Sequence, residues 1–422
     1  MKPVIATILT AALALRTKIV ETQRALAGAL VEREDEVLAC LVAMVCDQAV
    51  FFYGPPGVAK TFVAELLLKA IEGATYYTAL MPGVADPDDL FVEGISVVKI
   101  DEGGGHIRTI IEKTPGRAAL VNGVLLDELF KVDDPRVLQA LLDLTLSDGV
   151  RLEGRRLADQ AHLVMGISNE TPNSGSEFDA LWARFVLRLS VKPLGADGRK
   201  RMIRIQEAAA RNGGAGVVRP ANPLTLQDIA TLQQAAAQVD IGDDILDLIE
   251  ETIDELFSQD ADAFRWLKQD DRRRGLMVKA LKAHALIHGR TAVSKADLVI
   301  LKWMMWNHPD QIEQVEEKVK PLAATPFSEA LEEIDDLLAP NGKVWRAFEK
   351  REMTCFTDAA AQINRLKDTV LPRLISQASG IELSRLEAMK NGVQRLFTGV
   401  MARISGQESE MSWDAFVQLL KS

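Results

Sequence analysis

Only three cysteines occur in this sequence, Cys40, Cys46 and Cys355, an odd number with no CxxC pair. That excludes a disulfide framework and a cysteine-built zinc site, and it fits a reducing compartment. Aromatic residues are scarce, at 5% of the chain, while Leu, Ala, Val, Glu and Asp are plentiful. An all-β sandwich is therefore disfavoured, and a helix-rich or α/β chain is expected. Positive charge is also short: 49 Lys and Arg stand against 60 Asp and Glu, a formal net charge of −11. Such a chain repels polyphosphate, which argues against broad nucleic-acid binding. There is no uninterrupted apolar run of about 18 residues, so no membrane span is expected.

What is present begins with an apolar run, Val4–Leu15, after Met1-Lys2, and Ala12-Leu13-Ala14 imitates a signal-peptidase site. The periodicity continues well past that run. Ile5, Ile8, Ala12, Leu15, Ile19, Leu26 and Leu30 recur at helical spacing, which predicts the buried face of a long helix instead of an export signal.

The chain's 422 residues are enough for two or three domains. Residues 1–47 read as helical. Ala49–Tyr53 is a short apolar strand, followed by strand candidates at 75–80, 123–126, 162–167 and 185–191 with helical patterns between several of them. This alternation predicts a mostly parallel sheet flanked by helices. Two hairpins interrupt it, one over Ile95–Glu112 around Gly103-Gly104-Gly105 and a smaller one over Gly149–Ala158. Residues 193–224, rich in Gly, Arg and Pro, read as a linker. Strand signals stop there. Thr225 with Asp228 and Ser294 with Asp297 look like helix N-caps. Helices are expected at 225–238, 243–257, 271–288 and 294–306, then at 309–320, 327–337, 356–378, 382–405 and 412–421. Pro340-Asn341-Gly342 breaks that last series.

Residues 54–61 read Gly54-Pro55-Pro56-Gly57-Val58-Ala59-Lys60-Thr61, between a strand and a helix. Phosphate oxygens need inward backbone N–H groups, a positive helix end, a cation for the β and γ oxygens and a hydroxyl for Mg²⁺. Gly54 and Gly57 permit the tight backbone, Lys60 supplies the charge and Thr61 the hydroxyl. Ala59 stands where Gly is usual, and a helical backbone is expected there, at which Ala costs nothing. A glycine-rich turn with a solvated lysine is the plain alternative, and the flanking strand and helix argue against it. Downstream, Val124-Leu125-Leu126-Asp127-Glu128 is an apolar strand ending in two acids. In an open α/β sheet that edge holds the ligand. Asp127 is expected to hold Mg²⁺ through its water shell, and Glu128 to act as general base on the attacking water. The cofactors implied are ATP and Mg²⁺.

In these segments the chain resembles the AAA+ ATPases, specifically the MoxR group and its RavA-like branch. The loop with its Ala59 matches the MoxR form, and Leu126-Asp127-Glu128-Leu129-Phe130-Lys131 is similar to the second motif. Gly166-Ile167-Ser168-Asn169-Glu170 resembles the sensor 1 strand end, Asp179–Phe185 the arginine-finger segment, and Asp270-Asp271-Arg272-Arg273 the sensor 2 segment. The likeness covers roughly residues 15–305 and is weak beyond. It implies that Asn169 orients the lytic water or touches the γ-phosphate. It implies that Arg184 reaches the γ-phosphate of a neighbouring subunit, with Arg188 a weaker candidate, and that Arg272 or Arg273 reports nucleotide state. Leu30-Val31-Glu32-Arg33-Glu34 stands at the family's adenine segment, through backbone and apolar contacts only. The chain departs from the family at Ser147-Asp148-Gly149, where Asn-Glu-Arg is frequent, and the region after the lid is shorter than in longer RavA-like chains.

The resemblance implies an AAA+ P-loop domain over 1–192 with an N-terminal helix and inserted hairpins. A linker at 193–224, an all-α lid at 225–306 and a helical C-terminal domain at 307–422 for partner docking follow. It further implies a cytoplasmic, ATP-hydrolysing remodelling ring, most simply a homo-hexamer. That ring would act on a protein client, with a von Willebrand factor A domain partner and without nucleic acid or a membrane. A nucleic-acid-dependent P-loop motor and a P-loop kinase of a small acceptor remain alternatives. His284 and His288 lack a third zinc ligand and read as structural. Cys40 and Cys46 read as core, Asp240–Glu255 as a solvated helix face, and Trp303 with Trp306 as core of the lid.

Overall fold

The structure, a computed structural model, describes residues 2–101, 107–132, 134–145, 151–152, 155–156, 163–173, 175–211, 220–339, 341–378 and 380–421. The chain divides into two compact units, Met1–Leu322 and Ala323–Ser422.

In chain order the strands are β1 (Val50–Tyr53), β2 (Tyr76–Leu80), β3 (Val92–Asp101), β4 (Ile107–Pro115), β5 (Gly123–Asp127), β6 (Arg151–Leu152), β7 (Arg155–Arg156), β8 (Leu163–Ser168) and β9 (Leu187–Ser190). Five of them form one sheet in the order β2-β5-β8-β1-β9. Every pairing in it is parallel. β8 is buried at all six positions, as a parallel strand covered on both faces must be. β3 and β4 pair as the first expected hairpin, with its glycine tip outside the described residues. β6 and β7 form the second, most of which lies outside them, as do Ser147-Asp148-Gly149 and His162.

The N-terminal helical stretch is three helices, Lys2–Ala14, Arg16–Ala27 and Glu34–Cys46, not one. Ala12, Ile19, Leu26 and Leu30 are buried, so the helical spacing did mark a packed face. Cys40, Cys46 and Cys355 are free and buried. The segment read as a linker holds a sixteen-residue helix, Ala196–Arg211. Its Arg, Lys, Met, Gln, Glu and Ala are good helix formers, and the breakers that suggested a linker lie at its ends. Gly213-Gly214 lies outside the described residues.

The helical part of the first unit comprises Leu226–Ala236, Asp243–Gln259, Ala261–Gln269 and Asp271–Ile287, a 3-10 helix Lys295–Trp303 within the stretch 294–306 that reads as helical, and Ile312–Leu322. The last of these, expected with the C-terminal part, belongs to the first unit. Thr225 and Asp228 form a reciprocal capping box. In the second unit, helices Pro326–Leu337, Lys343–Glu349, Met353–Arg365, Leu371–Ile375, Gly380–Ile404 and Trp413–Lys421 enclose a core that includes Phe348, Trp413 and Phe416. No described helix is long and apolar enough to cross a membrane.

His284 and His288 belong to a buried polar knot. His284 Nδ1 lies 2.7 Å from Asp297 Oδ1, and Arg290 also pairs with this carboxylate. The Ser294 N–H donates to Asp297 Oδ2 at 2.8 Å. His288 Nδ1 donates to the His284 carbonyl at 2.9 Å. Burial, reinforced by His284, pulls the His288 pKa down to about 4. Burial alone raises the Asp297 pKa, but the hydrogen bonds from His284 and Arg290 outweigh it and bring it to about 2.

In both cases the unfolded chain binds protons that the folded chain refuses, so stability rises with pH. The His288 contribution is complete above its unfolded value of 6.5 and is lost as pH falls towards about 4. His288→Gln, which keeps a donor but cannot titrate, should therefore show a smaller loss of Tm between pH 7 and pH 4.5 than the parent. Thermal melts across that interval test this, and an unchanged slope would remove His288 from the account.

Candidate nucleotide site

The site begins where β1 ends. The Gly54 N–H donates to Ser168 O at 3.2 Å, at the end of β8. Gly54 has φ +155°, and a Cβ there would sit 2.4 Å from the Val191 carbonyl oxygen, so no other residue fits. Pro55, Pro56 and Gly57 are exposed and Val58 is buried. Gly57 has φ +82° in open space. Ala59 is not helical as expected: its φ of 66° and ψ of 26° are left-handed. For a residue with a Cβ this costs about 1–2 kcal/mol. The helix that follows runs Lys60–Ala70, opening two residues ahead of the Phe62–Ile71 stretch that reads as helical in the sequence.

Lys60 is buried, and its Nζ donates to the carbonyls of Gly54 at 2.7 Å and Pro55 at 2.8 Å. Burial lowers its pKa, and the nearby Asp127 carboxylate opposes that shift. Thr61 Oγ1 stands 3.4 Å from Asp127 Oδ2. A hydroxyl and a carboxylate facing each other are the hard-oxygen set that Mg²⁺ takes.

β5 ends at Asp127, level with Ile167 of β8, and Tyr53 is level with Ser168. Asp127, Asn169 and the phosphate loop thus emerge together at the carboxyl edge of adjacent strands, and Asn169 is exposed there. Glu128 has φ 56° and ψ 44°, also left-handed, and its N–H donates to Asp127 Oδ1 at 3.0 Å. Its carboxylate lies 3.2 Å from Lys131 Nζ, with both side chains part-exposed, so the pair holds it only weakly.

The four arginines separate into two kinds. Arg188 is wholly buried and donates to the carbonyls of Phe185, Trp182 and Trp306 and to Asn307 Oδ1, at 2.6–2.9 Å. Arg273 is also buried, with Nε on Met304 O at 2.8 Å and its guanidinium over Trp266. These two join β9 to the end of the helical domain and are not free to meet a nucleotide, which corrects their candidacy. Arg272 is exposed. Arg184 is part-buried, and its Nη1 is buried with no partner among the described residues. Burial lowers the Arg184 pKa, and the like charge of Arg272 lowers it further, against Asp143. Arg272 is thus near enough to Arg184 for its charge to be felt there.

Sequence reasoning assigned Arg33 no role beyond its backbone, yet it is buried and its fork braces the loop. Nη2 donates to Lys192 O at 2.9 Å and to Val58 O at 3.3 Å, and Nη1 to Glu32 O at 2.5 Å. In a trans peptide the C=O and N–H point oppositely, so holding the Val58 carbonyl turns the Ala59 N–H to the other side of the loop. Glu32, left-handed at φ 54°, accepts from the Gly195 N–H at 3.1 Å. The only sequence signal was an Arg among acids just before a helix.

A parallel sheet with the phosphate loop after β1, the strand next to its β9 edge, a carboxylate pair on the next strand but one and an α-helical domain behind defines an AAA+ architecture. The family described as the MoxR domain in the MoxR-vWA-beta-propeller ternary systems matches residues 17–234. An AAA lid domain matches residues 244–319. The chain belongs to the MoxR family of AAA+ ATPases. Two uncharacterized proteins of Methanocaldococcus jannaschii are similar to it. One is 27% identical over 287 residues, 67% of this chain and 70% of that protein. The other is 26% identical over 284 residues, 67% and 68% of the two chains. The crystal structure of a candidate ATPase from Cytophaga hutchinsonii shares the fold, with a TM-score of 0.54 and 18% identity over 74% of this chain and 95% of that one.

Because Ala59 is left-handed, Ala59→Gly should relieve strain that outweighs the added unfolded-state entropy, a gain of up to about 1 kcal/mol in denaturant melts. A loss of that size would mean a helical residue. Arg33→Lys keeps the charge but cannot span both carbonyls. It should weaken ATP binding about tenfold, the worth of a charged hydrogen bond, and leave adenosine binding unchanged. Equal losses for both ligands in calorimetric titrations would show that Arg33 shapes the base pocket, not the loop.

Proposed function

We propose that this chain is an ATP-hydrolysing remodelling ATPase of MoxR type, in the RavA-like branch, working as a ring in the cytoplasm. The observation that carries this reading is the convergence of Lys60, the Thr61–Asp127 pair and Asn169 on one strand edge, while Arg184 stands elsewhere with an unsatisfied buried nitrogen.

Lys60 leaves the Gly54 and Pro55 carbonyls to neutralise the β and γ oxygens, while Gly57 to Thr61 present backbone N–H groups and a helix end to them. Thr61 and Asp127 would hold Mg²⁺, which would supply positive charge to offset that of the phosphates. Glu128, released from Lys131, accepts the proton of the attacking water, and Asn169 orients that water. Arg184 of the adjoining subunit stabilises the charge that develops, an effect of about 10³–10⁵ in rate. Arg272, beside it, reports the nucleotide state. Loss of the γ-phosphate frees the subunits to reorient, and the β3–β4 hairpin, with Ile95 and Val97 exposed, transmits that motion to a protein client. The family is described in systems that contain a vWA component, which supports a von Willebrand factor A domain partner, with the C-terminal helices as its docking surface.

Lys60→Ala should lose ATP binding. Arg184→Ala should bind ATP and hydrolyse it at least about a hundredfold more slowly. Glu128→Gln should bind, stall and retain partners in a pull-down. Wild-type turnover by Arg184→Ala would remove the finger, and full turnover by an isolated monomer would remove the ring.

A further inference from the structure

Helix Ala196–Arg211 is short of partners. Of its described residues only Gly198 is buried, Met202 and Ile205 are half-buried, and Ile203 is 53% exposed. An isolated helix of this length is marginal in water, so packing elsewhere must hold it. It carries Arg199, Lys200, Arg201, Arg204 and Arg211 against Asp197 and Glu207, in an acidic chain. Lys200 pairs with Asp197, Arg211 with Glu207, and Arg199 donates to Leu194 O. Arg201 and Arg204, one turn apart and exposed, pair with no carboxylate among the described residues.

The opposite pattern occurs on helix Asp243–Gln259, which has seven acids and no base. Glu250, Asp254 and Glu255 are neutralised by Arg274, Lys268 and Lys318. Asp243, Asp247 and Glu251, spaced four apart on one stripe, are exposed and meet no cation among the described residues, and Leu246 beside them is 36% exposed. The two helices form no ion pair with each other among the described residues.

Their attachments decide how they meet. The basic helix starts at the phosphate-loop half of the site: Gly195 is bound by Glu32, Gly198 is pressed on the same side chain, and Arg33 ties Lys192 to Val58. The acidic helix is tied to the finger half: Arg274, two residues from Arg272, pairs with Glu250, and Arg272 acts on Arg184. We propose that the Arg201–Arg204 face of one copy docks on the Asp243–Asp247–Glu251 stripe of the adjacent copy, with Ile203 against Leu246. This rests on the reading that Arg184 completes a neighbour's site, because bringing the finger half to that neighbour's loop half carries the acidic stripe to its basic helix. Single surface pairs are weak, but a matched row sets encounter rate, register and salt sensitivity.

The test uses the full chain with ATP and Mg²⁺, reading the protein concentration at half-maximal turnover and the mass distribution by sedimentation. Arg201→Glu with Arg204→Glu should raise that midpoint about tenfold or more, and Asp247→Lys with Glu251→Lys should do the same. The chain carrying all four substitutions should return to within about threefold of the parent, because the charges again match. Unchanged ATP affinity in every variant shows that each one folds. Parent-like assembly by either double variant, or no recovery in the fourfold variant, overturns the pairing while leaving the ring intact. Loss of RNA-stimulated turnover in place of assembly overturns it in favour of a polyanion. A parent chain that turns over without assembling overturns the ring, and this contact with it.

Discussion

The chain leaves β1 through a gap that has no room for a side chain. Gly54 is pressed on the Val191 carbonyl and donates to Ser168, so it touches the strands on both sides of β1 at once. The loop that follows inherits its direction from that exit. Its inner wall is closed by Lys60 on the Gly54 and Pro55 carbonyls, and its back by Arg33 on Val58. Two left-handed residues with side chains, Ala59 and Glu128, stand on either side of the Thr61–Asp127 contact. Strain of this kind persists only where the surroundings over-determine it, and here two hydrogen-bonded strand ends and a buried guanidinium do so.

The sheet and the helical domain are joined by a second use of buried arginine. Arg188 and Arg273 are both desolvated, which lowers their pKa values, Arg273 to about 10, and each also feels the other's charge or that of Asp270. Their hydrogen-bond acceptors are backbone carbonyls at the ends of β9 and of the helical domain, together with Asn307. A buried charge without partners is costly, so removing these carbonyls from reach would be unfavourable by several kcal/mol. The helical domain is therefore fastened to the strand next to β1 at one end. Arg272, adjacent to this junction, keeps a defined position although its own side chain is solvated.

Much of this was legible in the residues because several local signals agreed. Five apolar runs, a glycine-rich turn before a helix and two acids after a strand all describe one edge of one sheet. Thr225 with Asp228 marked a helix start because a capping box is local chemistry. What escaped depends on tertiary surroundings. The left-handed backbone of Ala59 is imposed by the loop, and nothing in alanine announces it. Arg188, Arg272 and Arg273 are the same residue type in similar contexts, and only burial separates two joints from one solvated group. The helix 196–211 was hidden by the glycines and prolines at its ends, which outweighed a good helical interior in the reading.

Charge is distributed unevenly between the two halves of the proposed site. The loop half holds its cation, Lys60, already satisfied by carbonyls, and has carboxylates close by. The finger half gathers Arg184 and Arg272, whose like charges oppose each other, with Asp143 as the named counterweight and one Arg184 nitrogen buried without a partner among the described residues. Within one chain that arrangement is a standing cost. A polyphosphate reaching this face would relieve the repulsion, which Asp143 is too exposed to do well. The half-site that lacks an anion and the half-site built to cradle one are complementary, and on the proposed reading each completes the other only across copies of the chain.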